Sequence, residues 1–288
     1  MKTDPTSKLD KTVYTPEPAI GKPKKLLSDM FQDLIDSREL AWRLCLRNIS
    51  AKYRQTIMGY IWVILPPLLT SFIWIFLNNQ NILKFGEARI PYPLYVLVGT
   101  ILWQVFVNSI NTPINVVKES ASMIAKINFP RESLILAAFL EILFHLAIQL
   151  CLLAGIFAYF KVPISFYSIW ALGGIISIIM TGIMVGVILA PFCVLYGDIQ
   201  QGLPIILQPL FYLTPIVYSP PKTGIGAVLA MINPISPIIQ FTRELLIIGD
   251  RVCLGSTAII SSITLLLLFC GWILYRVAMP HLVERIAS

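Results

Sequence analysis

Few residues in this chain have the types and spacing that chemistry needs. Among 288 residues there are two histidines, His145 and His281, so a paired-histidine zinc helix of the HExxH kind cannot be written. No GxxxxGK[ST] loop occurs, so the chain has no P-loop for ATP. There is likewise no GxSxG nucleophile turn. Cys45, Cys151, Cys193, Cys253 and Cys270 contain no CxxC pair and read as small buried hydrophobes rather than bridges or metal ligands. Catalysis therefore has no visible machinery, and the expectation is that the chain is not an enzyme and binds no cofactor or metal itself.

What remains is polar and aromatic. Glu141, His145 and Gln149 stand four residues apart and share one helical face inside an apolar run. Ionisable groups at that depth mark either a proton path or an interhelical hydrogen-bond seam, the seam being worth about 1 kcal/mol per contact in lipid. A relay needs a partner and a wet path, which the sequence does not supply, so the seam is the plainer reading. Tyr60, Trp62, Phe72, Trp74, Trp103, Phe106, Phe211, Tyr212 and Tyr218 cluster in and around three apolar runs. Such rings form headgroup belts at span ends. Alternatively, rings such as Trp74, Trp103, Phe211 and Tyr212 could stack on the C–H faces of sugars.

The elements that must hold these side chains live in lipid. The chain is 57% hydrophobic and 13% charged, against roughly 25% charged residues in soluble domains. That balance excludes disorder, a disulfide-stapled scaffold and nucleic-acid binding as the main task, despite a net charge of +7. Residues 1–25 are rich in proline and lysine and lack the apolar core of a signal peptide, so they read as a flexible tail. Residues 26–56 read as an amphipathic interface helix or helix pair, with Ser28 and Ser37 as N-caps and Phe31, Ile35, Trp42, Cys45, Ile49 and Tyr53 on the apolar face.

Six apolar stretches follow, at Gly59–Leu77, Leu94–Asn115, Ser133–Phe160, Ser168–Leu195, Gly202–Tyr218 and Ser256–Tyr275. The fifth holds Pro204, Pro209 and Pro215 and should kink. Between the fifth and sixth, residues 219–255 read as a re-entrant helical hairpin, tolerable at depth only where protein or a wet cavity covers it. The fourth stretch carries small-residue rows, Gly174 with Gly182, Gly186 and Ala190, and Gly173 with Ser177 and Thr181. These rows allow close helix packing, within one subunit or across a dimer. With both termini inside, sixteen lysines and arginines lie on the cytoplasmic side and six outside. That places the chain in the cytoplasmic membrane as a multi-pass protein.

From Arg47 to Trp62, then Pro66, the sequence has a Tyr53-Arg54 pair and a Gly59-x-x-Trp62 entering the first span. This stretch resembles the ABC-2 type permeases of polysaccharide exporters. Further matches are the loop Lys118–Arg131 with Asn128-Phe129-Pro130-Arg131, the turn Tyr196-Gly197-Asp198-Ile199, Thr214–Tyr218, and Asn233-Pro234 followed by Arg243. Asn48 stands where that family commonly has an acid, and Gly197 where it usually has an arginine.

The resemblance implies an all-α membrane protein of six spans over residues 57–288, with a cytoplasmic coupling loop at 116–132 and an external gate hairpin at 219–255. It implies a homodimer working with two ATP-binding cassette subunits, which hold the ATP and Mg2+. The cargo it implies is a lipid-linked polysaccharide of O-antigen, teichoic acid or capsule type. Arg38, Glu39, Lys118, Glu119 and Arg131 are the expected coupling residues. Tyr60, Trp62, Trp74, Trp103, Phe211 and Tyr212 are channel or glycan contacts, and Tyr218, Asn233 and Arg243 belong to the gate. The competing expectations are an ABC-2 permease for a small molecule, or a polytopic membrane transferase.

Overall fold

The computed structural model describes residues 23–54, 56–80, 91–127, 129–162, 166–219, 224–247 and 254–287. Most of the tail, Asn128 of the loop motif, the start and end of the hairpin and Cys253 lie outside the described residues. The elements are α1 (Pro23–Asp36), α2 (Arg38–Arg54), α3 (Ile61–Asn79), α4 (Tyr92–Glu119), α5 (Ala121–Lys126), α6 (Glu132–Tyr159), α7 (Ala171–Leu195), α8 (Gly197–Leu213), α9 (Ile225–Ile232), α10 (Ile235–Ile247) and α11 (Leu254–Ala287). A 3-10 turn, Phe166–Trp170, leads into α7. Among the described residues five helices are long and apolar enough to cross a membrane: α3, α4, α6, the 3-10 turn with α7, and α11. Helix α8 has 17 residues, about 26 Å at 1.5 Å per residue, short of a roughly 30 Å hydrocarbon core.

Burial ranks the helices. In the apolar window of α4, 72% of residues are buried within the chain, against 11% in α3 and 17% in α11. Helix α4 is thus the central post, packed chiefly on α7, with α6 and α3 on its other sides. The α4–α7 contact is close because glycines line it. A Cβ on Gly182 would stand 2.4 Å from Ser109 Cβ, and one on Gly186 2.5 Å from the Ile110 carbonyl oxygen. Farther along α7, a Cβ on Gly174 would meet Thr242 Oγ1 of α10 at 2.1 Å. Ser177 and Thr181 face α11 instead, with Ser261 Oγ donating to Ser177 Oγ at 2.9 Å and Thr181 and Thr264 hydroxyls 3.5 Å apart. Both small-residue rows therefore supply packing inside the chain, although Gly173 has open space beside it.

Several expectations shift. Helix α1 begins at Pro23, where a missing N–H costs nothing in the first turn, so Ser28 lies inside the helix and caps nothing. Ser37 separates α1 from α2, but its hydroxyl turns back to the Leu34 carbonyl at 3.1 Å. Cys45 belongs to the protein-facing stripe of α2 with Ala41, Leu44 and Asn48, whereas Phe31, Ile35 and Trp42 stay exposed. Cys151 and Cys270 are exposed on α6 and α11, not buried. The fifth stretch is helical from Gly197 rather than Gly202 and stops at Leu213. Thr214 precedes Pro215 and takes ψ 132°, because the proline ring crowds an α-helical neighbour on its N-terminal side. Helix α4 runs on through Glu119, so Lys118 and Glu119 end a helix instead of opening a loop.

Candidate functional site

Two polar constructions stand at opposite ends of α4. The first is at the basic end, where α2, the C-terminus of α4 and the N-terminus of α6 meet. Gly59, at φ +50°, gives the chain the left-handed turn between α2 and α3. The turn leaves the last residues of α2 over α6. There Tyr53 Oη lies 2.9 Å from His145 Nε2 and Lys52 Nζ lies 3.6 Å from Glu141 Oε1. The buried groups of α6 thus find their partners on α2 rather than on another span. Gln149, one turn farther along, is buried with neither amide atom hydrogen-bonded among the described residues. Burial, the Glu141 carboxylate and then Tyr60 raise the Tyr53 phenol to about 12, so it remains a neutral hydroxyl. Burial first, and Glu141 second, push the Cys45 thiol up to about 11.

Beside this pair lies a cavity of about 230 Å3, lined by Lys52, Tyr53, Thr56, Trp62, Gln104, Asn108 and His145. Tyr60 flanks it, its ring 4.6 Å from that of Tyr53 and 5.7 Å from that of Phe144. Trp62 and Tyr60 are both half exposed. A cation, hydroxyls, amides and an indole around one opening suit a ligand that is polar and anionic or polyhydroxylated. Among the described residues no group of three or more His, Cys, Asp or Glu side chains could hold a metal ion.

The basic end carries three further ties that are not legible in the sequence. Arg276 of α11 bonds Asp33 of α1 at 2.7 Å and also Glu132 at the start of α6, whose side chain is 4% exposed. Tyr275, fully buried, donates to the Arg131 carbonyl at 3.4 Å. Arg47 of α2 reaches Ser120 Oγ at 3.5 Å and Met123 Sδ at 3.8 Å, joining α2 to α5. Helices α1, α2, α5, α6 and α11 are therefore linked side chain to side chain. Of the expected coupling residues, Arg38 and Glu39 are exposed on α2, where Glu39 pairs with Arg43 at 2.6 Å. Lys118 and Glu119 are exposed at the end of α4, and Arg131 is half-buried. All five lie at this end, but they do not touch one another.

At the far end, the three gate residues converge on one turn. Arg243 of α10 is 2% exposed. It donates to the carbonyls of Pro215 and Ile216 at 3.2 and 3.0 Å and to Tyr95 Oη at 2.5 Å, and its guanidinium carbon sits 3.6 Å from the Tyr95 ring centre. Tyr95 passes the bond on to the Tyr218 carbonyl at 2.9 Å. A side chain at Gly99 would drive a Cβ to 2.6 Å from the Ile216 oxygen. Asn233 donates to Thr214 Oγ1 at 2.7 Å and accepts from the Ile235 N–H at 3.1 Å, capping α10. The buried guanidinium thus holds the Thr214–Tyr218 turn by its carbonyls, which planar arginine does and a lysine point charge cannot.

Between the ends, four aromatic residues named from the sequence meet edge to face. Trp103 and Phe211 are 5.7 Å apart between ring centres, Phe211 and Tyr212 5.4 Å, and Tyr212 and Trp74 6.3 Å. Trp103 is buried in this chain and Tyr212 half exposed. Tyr60 and Trp62 do not join them; they belong to the polar cavity with Gln104 and Asn108. The cluster spans α3, α4 and α8.

Residues 39–247 match the family described as ABC-2 type transporter. The polysialic acid transport protein KpsM of Escherichia coli is 26% identical over 246 residues, covering 81% of this chain and 91% of its own. The O-antigen export system permease protein RfbA of Klebsiella pneumoniae is 26% identical over 210 residues, covering 70% and 78%. Its namesake in Myxococcus xanthus is 26% identical over 195 residues, covering 66% and 72%.

Proposed function

The chain belongs to the ABC-2 type transporter family, and from that premise we propose that it is the membrane permease of an ATP-driven exporter of a lipid-linked polysaccharide. The observation that carries this reading is the path along α4: an exposed lysine, Lys118, at the basic end, a polar cavity at Gln104 and Asn108 beside an aromatic cluster that starts at Trp103, and a pinned turn at the far end. Curved aromatic and amide surfaces fit sugar rings and hydroxyls, and the relatives are named for polysialic acid and O-antigen. The chain works as a homodimer in the cytoplasmic membrane with both termini inside, beside two ATP-binding subunits that hold ATP and Mg2+.

In this reading, closure of the ATP-binding subunits presses on α1, α2 and α5. The Arg276 tie carries the displacement of α1 into α6 and α11, and the Arg47 tie moves α2 with α5. For transport to be coupled, that displacement must favour the open channel over the closed one. Charge reversal at Glu119 or Arg131 should leave ATP hydrolysis running while export falls. The test of the class is co-purification: a C-terminally tagged chain solubilised from its native host should bring down a Walker-motif polypeptide at one-to-one stoichiometry. A stable preparation without such a subunit would refute the reading.

A further inference from the structure

One stripe of the central helix escapes burial. From Ile101 to Ser120 every residue is buried except Gln104, Val107, Asn108, Asn111, Asn115, Lys118 and Glu119. Gln104, Asn108, Asn111, Asn115 and Lys118 follow at alternating steps of four and three, so they lie on one face. They rise over about 21 Å, more than half the depth of a bilayer core. Four consecutive positions are neutral amides, an expensive choice for a helix face turned to lipid.

The amides only partly satisfy one another. Gln104 Nε2 donates to Asn108 Oδ1 at 3.2 Å, and Asn111 Nδ2 to the Val107 carbonyl at 2.9 Å. Gln200 of α8 donates to Asn115 Oδ1 at 2.9 Å and accepts from Lys118 Nζ at 2.6 Å. Among the described residues this leaves Gln104 Oε1, Asn108 Nδ2, Asn111 Oδ1 and Asn115 Nδ2 unused, an alternation of acceptors and donors along the stripe. Each amide offers both kinds of group, as a sugar hydroxyl does. Where it passes Gln104 and Asn108 the stripe opens into the cavity with Trp62 and Tyr53, and Trp103, next to Gln104, starts the aromatic cluster.

We infer that this ladder on α4 is a glycan track, binding the hydroxyls of an extended polysaccharide as it passes. The inference rests on the exporter reading and adds to it the surface that touches the cargo. The rungs are about 4.5–6 Å apart along the helix. Their neutrality lets an uncharged or acidic sugar chain slide without being trapped by a fixed charge, and only Lys118 at the entrance is cationic. A seam against the second copy is the competing use of such a stripe.

The test is cysteine substitution in the full transporter, with Cys151, Cys253 and Cys270 replaced by alanine. Gln104→Cys, Asn108→Cys and Asn111→Cys are probed with a charged thiosulfonate in native membranes, with Leu266→Cys on the exposed face of α11 as control. The ladder positions should react at least tenfold faster than the control. They should also be slowed severalfold in membranes loaded with the host's lipid-linked polymer relative to membranes from a strain that cannot make it. The paired variant Asn108→Leu with Asn111→Leu should cut export about tenfold while ATP hydrolysis persists, and Asn→Gln at both should restore most of it. Labelling no faster than the control, or indifferent to the polymer, in variants that still export would overturn the ladder and leave the exporter reading intact. Unchanged surface polymer in a strain deleted for the chain would overturn the exporter reading itself.

Discussion

Arg276→Met removes the one cation that holds two acids at the basic end. Glu132 is 4% exposed at its side chain, Asp33 16% and Arg276 23%, so the cluster is mostly desolvated without being sealed. Breaking a buried pair leaves an uncompensated charge, which typically costs about 3–5 kcal/mol. Because Asp33 and Arg276 keep some contact with water, the lower end applies, about 3 kcal/mol. At roughly 2–4 °C per kcal/mol for a chain of this size, the apparent Tm should fall by about 6–12 °C. The assay is thermal denaturation of the detergent-purified transporter followed by tryptophan fluorescence, all variants heated at one scan rate. Replacing the whole cluster, Arg276→Met with Glu132→Gln and Asp33→Asn, removes the orphaned charges and should recover more than half of the loss. A drop under about 2 °C for Arg276→Met would refute the reasoning, as would a triple variant no better than the single one.

Other expectations follow from particular contacts. Gly182→Ala should destabilise the chain by at least about 2 kcal/mol, because its Cβ meets both Ser109 and the Phe106 backbone and α4 must separate from α7; chemical denaturation would show it, whereas Gly173→Ala, with open space, should be neutral. Arg243→Lys keeps the charge but cannot reach the Pro215 and Ile216 carbonyls together with Tyr95. It should raise protease sensitivity near Tyr218 as much as Arg243→Leu does, and full protection in Arg243→Lys would contradict the pinned turn. Cys45, with its thiol near 11, should hold roughly a hundredfold less thiolate at pH 8 than an ordinary cysteine. Maleimide labelling of a variant keeping only Cys45 should accordingly be slow at pH 8 and accelerate toward pH 10, and fast labelling at pH 8 would mean that α2 does not rest on α6.

Local pattern made much of this legible in advance. The long apolar helices are visible in the sequence as apolar runs with few charges, and Pro66, Pro113 and Pro191 fit inside them, since packed spans tolerate proline. Gly174, Gly182 and Gly186 could be read as close-packing positions from their spacing. What spacing could not say is which helices meet there, because that depends on partners about 70 residues away along the chain, Ser109, Ile110 and Thr242. The same limit hid the Arg276 cluster, where Asp33 and Arg276 lie 243 residues apart in sequence. For Glu141 and His145 the pattern showed a polar face, but the partners, Lys52 and Tyr53, sit on a helix that reads as lying in the interface. Gly197 and Asp198 look like a turn in the sequence, yet α8 begins there, directly after the extended Tyr196. The α4 ladder is legible in the sequence: four amides and a lysine at steps of four and three inside an apolar run are a signal as plain as a heptad.

Export of a lipid-linked polysaccharide is read out in the surface polymer of a host strain deleted for this chain. The polymer should disappear from the surface and accumulate, still lipid-linked, on the cytoplasmic side, and the wild-type chain should restore it. Unchanged surface polymer in the deletion strain would refute polysaccharide export and point to a small-molecule cargo.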